Sequence, residues 1–527
     1  MILVRILSRF FTLNYVFVWM SLGFVPAAFS AIKPADVLPE VRPQKKTRTP
    51  TAIKKTSEKN KVSPVPSPET SKSTSQPLGP TNQSVVEAKP KAFGPSLHLF
   101  ESLMKFEVQQ YMSPLNETTS LQSMQLLNVD LNYKYIGPTF KGTLDAGAGT
   151  FFKKTQSFYA VYELYVQNGV WLHSNDSLAF GRKKMLWSDL DQTWNFGLWQ
   201  PKYATDPTRP KQQGLSGFFY ELNGENVGFK LAVSPIYIPN VGPDIREENG
   251  SIVSDSRWYR PPSKTFNLFN KQNNIVYKID VGDISQLINN QGLSSQISYR
   301  SSQNLWGRAG FAFKPLNEIL LKREEYKNID RSVNVTVRPQ VAYHELGTLE
   351  VGYDNKEWSF SVSVMADKPY EKRPDSGWAV QSPRPLQIYG AQAAYDLSEK
   401  WLKPIRVSAA YMKTFGGEII DIKSDGTQDE ITLFDRRLPF SNALKVGLEG
   451  EVMRVRTRPV VAKVSYLADF DQRGTMFNGE LEYNTQKNWL FTLGADVLGV
   501  EKESSETSFL NQFRANDRVY GGIGYVF

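Results

Sequence analysis

The chain has 527 residues, no cysteine and a formal charge of +9, with aromatic residues at 13% and charged residues at 22%. Without cysteine it can form no disulfide, thiolate nucleophile or cysteine-held metal. The excess charge sits at one end: residues 1–31 carry Arg5 and Arg9 and no acid, residues 32–95 carry twelve basic against five acidic side chains, and the remaining 48 of each sign cancel. A nucleic-acid binder concentrates basic residues on its folded part, so this balance speaks against that class.

Arg5 and Arg9 lead into an apolar stretch, Phe10 to Val25, interrupted by Thr12, Asn14 and Ser21 and followed by Ala28-Phe29-Ser30. That layout predicts a secretory signal peptide over residues 1–30, cleaved after Ser30. The stretch is short and broken for a membrane anchor, and no later run reaches the about 18 apolar residues of a spanning helix. Residues 31–95 are rich in Pro, Lys, Ser and Thr, as in Lys45-Lys46-Thr47-Arg48-Thr49-Pro50 and Ser63-Pro64-Val65-Pro66-Ser67-Pro68. Such a segment buries too little apolar surface to offset its ordering entropy, which predicts a disordered, extended linker.

From residue 96 to Phe527 the texture changes to strict alternation. In Leu127-Asn128-Val129-Asp130-Leu131-Asn132-Tyr133-Lys134-Tyr135 every odd position is apolar and every even one polar. Val333, Val335 and Val337 alternate with Asn334, Thr336 and Arg338. Trp358, Phe360, Val362 and Val364 alternate with Ser359, Ser361 and Ser363, and Phe477, Leu481 and Tyr483 with Asn478, Glu480 and Glu482. A two-residue period marks strands with one dry and one wet face. Twenty stretches qualify: near 97–111, 126–136, 139–150, 156–167, 176–183, 216–222, 226–236, 273–282, 291–300, 304–314, 333–344, 348–354, 358–366, 386–396, 404–413, 443–453, 459–467, 476–484, 488–498 and 517–527. Sandwich strands run to about 5–6 residues. Several of these are closer to the ~9–11 that cross a bilayer at a tilt, with Tyr133, Tyr135, Trp358, Tyr483 and Trp489 at the ends of the apolar faces.

The chain ends on Val519, Gly521, Ile523, Tyr525 and Phe527 along one face of a last strand. Gly522, Tyr525 and the terminal Phe527, with Tyr520 where a more polar residue is usual, resemble the C-terminal signal of bacterial outer-membrane β-barrels. The resemblance implies an all-β fold: a single transmembrane antiparallel β-barrel over residues 96–527. Its apolar faces would meet outer-membrane lipid, its polar faces would line water, and its last strand would be read by the barrel-assembly machinery. Twenty candidates, some of them loop strands, and an even count in the wall lead to an expectation of about 16–18 strands, enough to leave a water-accessible channel. The linker then lies in the periplasm, either as a bare spacer or with its cations on an anionic partner such as peptidoglycan. Ile136-Gly137-Pro138-Thr139 and Asn484-Thr485-Gln486-Lys487 read as periplasmic turns, and the insertions near 184–215, 237–272, 367–385, 414–442 and 499–516 as long outer or inward-folded loops.

Parity assigns Asp130, Lys134, Lys278, Asp280, Arg338, His344, Glu350, Lys445, Glu449, Lys463, Glu480, Glu482 and Asp496 to the wet, lumen-lining face. Charges recurring there are prohibitive in a dry core and natural in a wet one. The most distinctive local sequence holds Arg182, Lys183, Lys184, Trp187, Asp189, Asp191, Trp194 and Trp199. Trp258, Tyr259 and Arg260 follow in the next insertion. Aromatic faces beside charges can stack on sugar rings, and opposed charges can set a transverse field that selects solutes. The Gly-Arg strand end leading into an aromatic loop is loosely similar to the constriction region of sugar-conducting porins. These residues are therefore candidate constriction contacts, with self-packing of the loop as the plainer role. No Ser-His-acid spacing, phosphate-binding loop or metal-ligand spacing is visible, so neither catalysis nor a cofactor is expected. The expected function is passive or weakly selective passage of small hydrophilic solutes, saccharides among them. The alternative is a structural or surface-interaction barrel with a plugged lumen, tethered to the cell wall by the basic extension.

Overall fold

The computed structural model describes residues 97–527 apart from 115–121, 138, 153–156, 170–174, 269–270, 329–331, 372–373, 398–403 and 431–436. The expected signal peptide and linker lie outside the described residues. Among the described residues, eighteen strands join in one sheet. They are β1 (Leu97–Tyr111), β2 (Ser123–Ile136), β3 (Phe140–Phe151), β4 (Ser157–Gly169), β5 (Asp176–Lys183), β6 (Leu215–Asn223), β7 (Val227–Ile236), β8 (Gly292–Arg300) and β9 (Leu305–Pro315). The second half holds β10 (Tyr343–Asp354), β11 (Trp358–Pro369), β12 (Leu386–Asp396), β13 (Ile405–Gly416), β14 (Asn442–Val455), β15 (Arg458–Asp469), β16 (Gly474–Asn484), β17 (Trp489–Val500) and β18 (Arg518–Val526). Each pairs antiparallel with its neighbours in sequence, and β18 closes on β1 from Leu103↔Val526 to Tyr111↔Arg518. Closure leaves no sheet edge over that span, which is the condition for a β-structure to stand in hydrocarbon.

Because side chains alternate, register fixes which residues share a face. Leu349, Val364 and Tyr389 are cross-strand neighbours on β10, β11 and β12, and all three are exposed. Their chain neighbours Glu350 and Ser363, also paired with each other, are buried. The same division holds around the sheet: Val446, Val464, Phe477, Leu493 and Ile523 point outward and are exposed. An apolar surface that encircles the molecule is far larger than a soluble monomer tolerates. In lipid the same surface is the solvated one. No helix among the described residues is long and apolar enough to cross a membrane; here the strands would do so.

The two rims differ. β1 starts and β18 ends at the rim whose connections are short, such as 224–226, 301–304, 355–357, 456–457 and 485–488. The opposite rim carries 184–214, 237–291, 316–342, 370–385, 417–441 and 501–517. Four of these long connections supply a separate seven-stranded sheet, ordered Thr265–Leu268, Lys271–Ile279, Val333–Gln340, Leu320–Lys327, Trp378–Pro383, Ile419–Lys423 and Gln428–Glu430. Here two of the twenty sequence candidates are corrected. The candidates 273–282 and 333–344 are not wall strands, apart from Tyr343 and His344, which open β10, and Lys278, Asp280 and Arg338 are not on the barrel's inner face. Lys271–Ile279 pairs parallel with Val333–Gln340, and Arg338 forms an ion pair with Asp280. A loop sheet with one covered face carries the same alternation as a wall strand, so the period could not separate them. The other eighteen candidates match β1 to β18, with β10 beginning earlier, at Tyr343.

Glycine is required where β5 meets β6. Gly181 has φ 126°, and a Cβ there would stand 2.3 Å from the Leu164 carbonyl oxygen. Its cross-strand partner is Gly217, where a Cβ would meet the Val233 carbonyl oxygen at 2.0 Å. At the C-terminus Tyr525 and Phe527 lie on the outward face with ring centroids 4.9 Å apart. Tyr520 faces inward and donates its hydroxyl to Glu480 at 3.1 Å, so the residue that looked out of place is used for its polar end. Gly522 is also inward, where a Cβ would meet Lys105 and Thr492 at 2.7 Å.

Candidate functional site in the lumen

The connection between β5 and β6, residues 184–214, runs inside the barrel. It leaves β5 beside β3, where the Lys184 ammonium binds Asp145 at 2.5 Å, and reaches β8, where Gln296 donates to the Trp187 carbonyl at 2.6 Å. It then forms a short helix, α1 (Asp189–Trp194), capped by Ser188. Asn195, at φ 50°, ends the helix in the left-handed region that asparagine tolerates.

α1 lies along the inner wall from β9 and β10 to β12 and β14, and its ends are matched by charge. At its start the Glu350 carboxylate of β10 accepts from Ser188 Oγ at 2.6 Å, Asp189 N at 3.1 Å and Leu190 N at 3.2 Å. Arg308 of β9 reaches Glu350 at 3.0 Å and Asp189 at 3.2 Å. At its end Thr193 donates to Gln392 of β12 at 2.5 Å, and the Lys445 ammonium of β14 lies 3.5 Å from the Thr193 carbonyl. An anion at the first turn and a cation at the last are the favoured arrangement for helix partial charges. The wall makes room for the loop as well: Leu190 occupies the space above Gly390, where a Cβ would lie 2.3 Å from its Cδ1.

Beyond α1 the loop folds on itself. The Asp191 carboxylate accepts from Leu198 N at 3.1 Å and Trp199 N at 3.2 Å. Burial raises its pKa, while those two N–H groups and the nearby Lys202 and Lys314 hold it down in part. Trp187 and Trp199 stack with centroids 5.3 Å apart and planes 7° apart, and Trp194 lies parallel to Phe196 at 6.5 Å. Trp199 is 0% exposed and Trp187 1%. With inward residues of the wall such as Leu346, Ile388 and Met412, and with Phe440 and Phe513 of other long connections, they form one apolar core. That core fills the lumen toward the long-loop rim.

The returning leg is held by ion pairs. Asp206 binds Arg518 of β18 at 2.5 Å. Arg209 binds Asp496 of β17 at 2.8 Å and lies over the Tyr520 ring at 3.8 Å. Lys211 binds Asp130 of β2 at 2.7 Å. Burial alone would raise the Asp206 carboxyl, but Arg518, Arg209 and Thr208 outweigh it and hold it below the usual value.

Of the remaining candidates from sequence, Arg182 donates to the Gly214 carbonyl at 3.2 Å and Lys183 pairs with Glu221. Trp258 is buried against Phe513 with centroids 5.3 Å apart, Arg260 lies over the same ring at 4.9 Å, and Tyr259 reaches the Ile252 carbonyl at 3.5 Å. Trp258 and Arg260 thus pack on the segment Phe509–Phe513, not on α1. His344 faces inward but is sealed, its Nδ1 2.9 Å from Asp367 and its exposure 0%. Asp367 is shared with Arg437 at 2.5 Å. Lys134, Lys445, Glu449, Lys463, Glu480 and Glu482 stand on the inward face, where Lys463 binds Glu482 at 2.8 Å. Lys134 and Glu449 are exposed although they point into a closed barrel, so that part of the interior is accessible to solvent. Arg308, Gln392, Asp206, Arg209 and Lys211 were not singled out from sequence; the charged four had as their one signal a charge within a Pro-rich insertion or opposite an assigned acid, and Gln392 had only its polar parity. Among the described residues no group of three or more His, Asp or Glu is placed to hold a metal.

A closed sheet that is apolar outside, charged inside, and entered by an inward loop defines a membrane-spanning β-barrel whose lumen is narrowed by residues 184–214. No protein-family model matches this chain, and no curated protein sequence matches it. Solved structures similar to it include an in-vitro folded OmpT, an outer membrane protein of Vibrio cholerae in its trimer form. That match is at 10% identity and a TM-score of 0.37, over 82% of this chain and 100% of the other. Another is OccAB3 of Acinetobacter baumannii, at 10% identity and a TM-score of 0.42, over 82% and 99%.

Proposed function

We propose that this protein is a bacterial outer-membrane channel for small hydrophilic solutes, with transport by diffusion through a polar lumen that residues 184–214 narrow. The observation that carries the reading is the pairing of a hydrocarbon-compatible exterior with inward charges, Lys134 and Glu449, that are accessible to solvent inside a closed wall. Saccharide stacking has little support, because Trp187 and Trp199 stack on each other and are buried. In this reading the short-turn rim, where β1 begins, faces the periplasm together with the N-terminal extension, and Tyr520, Gly522, Tyr525 and Phe527 serve barrel assembly. Reconstituted into planar bilayers, the purified protein is expected to give stepwise conductance. A sealed bilayer despite verified insertion overturns the channel.

The apolar core at the long-loop rim favours a second reading, in which the lumen stays plugged and the outer loops bind a partner while the basic extension holds the cell wall. Deleting residues 31–95 and measuring co-sedimentation with peptidoglycan separates the two halves of that idea. Unchanged sedimentation removes the tether.

A further inference from the structure

We infer that Glu350 is the positioning residue that keeps α1 docked inside the lumen. This rests on the channel reading for its consequence, not for its geometry. Glu350 is 1% exposed, and an ionised carboxylate is stable at such burial only when its lone pairs are taken by donors. Its two oxygens have four donors: Ser188 Oγ, Leu190 N, Asp189 N and Arg308 Nη1. Three of the four belong to the loop. The dependence is mutual, since Ser188 uses the same hydroxyl to accept from Asp191 N at 3.1 Å and so fixes the first turn of α1. Elsewhere the descending leg is held by the Lys184–Asp145 pair beside β5, by Arg308 on Asp189, and by backbone carbonyls, a hydroxyl–amide contact and apolar surface. Glu350 is therefore the hub of α1 docking: it takes three donors from the first turn and also holds Arg308, the other wall charge on Asp189. Departure of α1 would also hydrate Glu350 and leave it with Arg308, so the undocked state is itself a solvated ion pair.

The test uses the full-length protein in proteoliposomes and two readouts: trypsin cleavage at Lys202 and Lys211, and single-channel current. Glu350→Ala is expected to raise the undocked fraction on the order of 100-fold, the scale of breaking a buried charged pair, with faster cleavage and larger or longer openings. Glu350→Gln, which keeps one acceptor oxygen, falls between it and wild type. Heat-modifiable gel mobility confirms that the barrel has folded. As a check against general loosening, Thr193→Cys with Gln392→Cys is bridged by a short thiol crosslinker in the Glu350→Ala background; the chain has no native cysteine to interfere. Restored protection from trypsin supports a positioning role. Cleavage and current both unchanged in a folded Glu350→Ala overturn it. Altered cleavage with no current in any variant leaves the positioning role standing and removes the channel reading instead.

Discussion

Trp199→Ala tests whether the lumen is occupied by a packed core or by a loosely laid loop. Trp199 is wholly buried and stacked on Trp187, and Gly310 of β9 lies beneath it, where a Cβ would be 3.0 Å from its ring. Its indole N–H has no hydrogen-bond partner among the described residues, so the loss is one of packing alone. Truncating a buried Trp to Ala costs about 3–5 kcal/mol. The wall strands are tied by their own ladders, so the cost falls on loop docking, which shifts by about 10²–10³-fold. In proteoliposomes, tryptic cleavage within 202–211 should accelerate by that order while heat-modifiable mobility stays unchanged. Trp199→Phe, which retains most of the volume, should cost far less. Equal cleavage rates for wild type and Trp199→Ala would refute the packed core.

Three further outcomes follow from the same geometry. Val364 faces outward and its neighbour Ser363 inward, so Val364→Lys should destabilise by about 2–4 kcal/mol at mid-bilayer, whereas Ser363→Lys should fold with near-normal yield; reversing that order in a refolding assay would invert the barrel. Gly181→Ala should abolish assembly because backbone atoms of β4 occupy the Cβ position, while Gly347→Ala, with nothing within 4 Å, should be neutral in the same gel-shift measurement. The third concerns pH. Because the folded Asp206 carboxyl is held low, its contribution to docking is complete above the unfolded value near ~3.9 and is lost as pH falls through the folded value. Protection of the returning leg from an acid-active protease should therefore fall below about pH 4, and Asp206→Asn should remove that step.

Much of the wall was legible in the residues themselves. Alternation in Leu127–Tyr135 or Trp358–Val364 is a local property: two faces of one ribbon, one for water and one for hydrocarbon, written by residue identity at a period of two. Parity then placed Asp130, Lys445, Glu480 and Asp496 on the inner face without knowledge of any partner strand. What the period could not say is which sheet a strand joins. Val333–Val337 obeys the same rule as a wall strand, yet belongs with Lys271–Ile279 in the loop sheet, because membership depends on pairing between segments far apart in sequence. Nor could composition tell that Trp187 and Trp199 stack on each other. That follows from where Gly310 and Gly390 leave room in the closed wall and where Glu350 takes up the first turn of α1, contacts between residues some 110 to 200 positions apart that exist only once the barrel has closed.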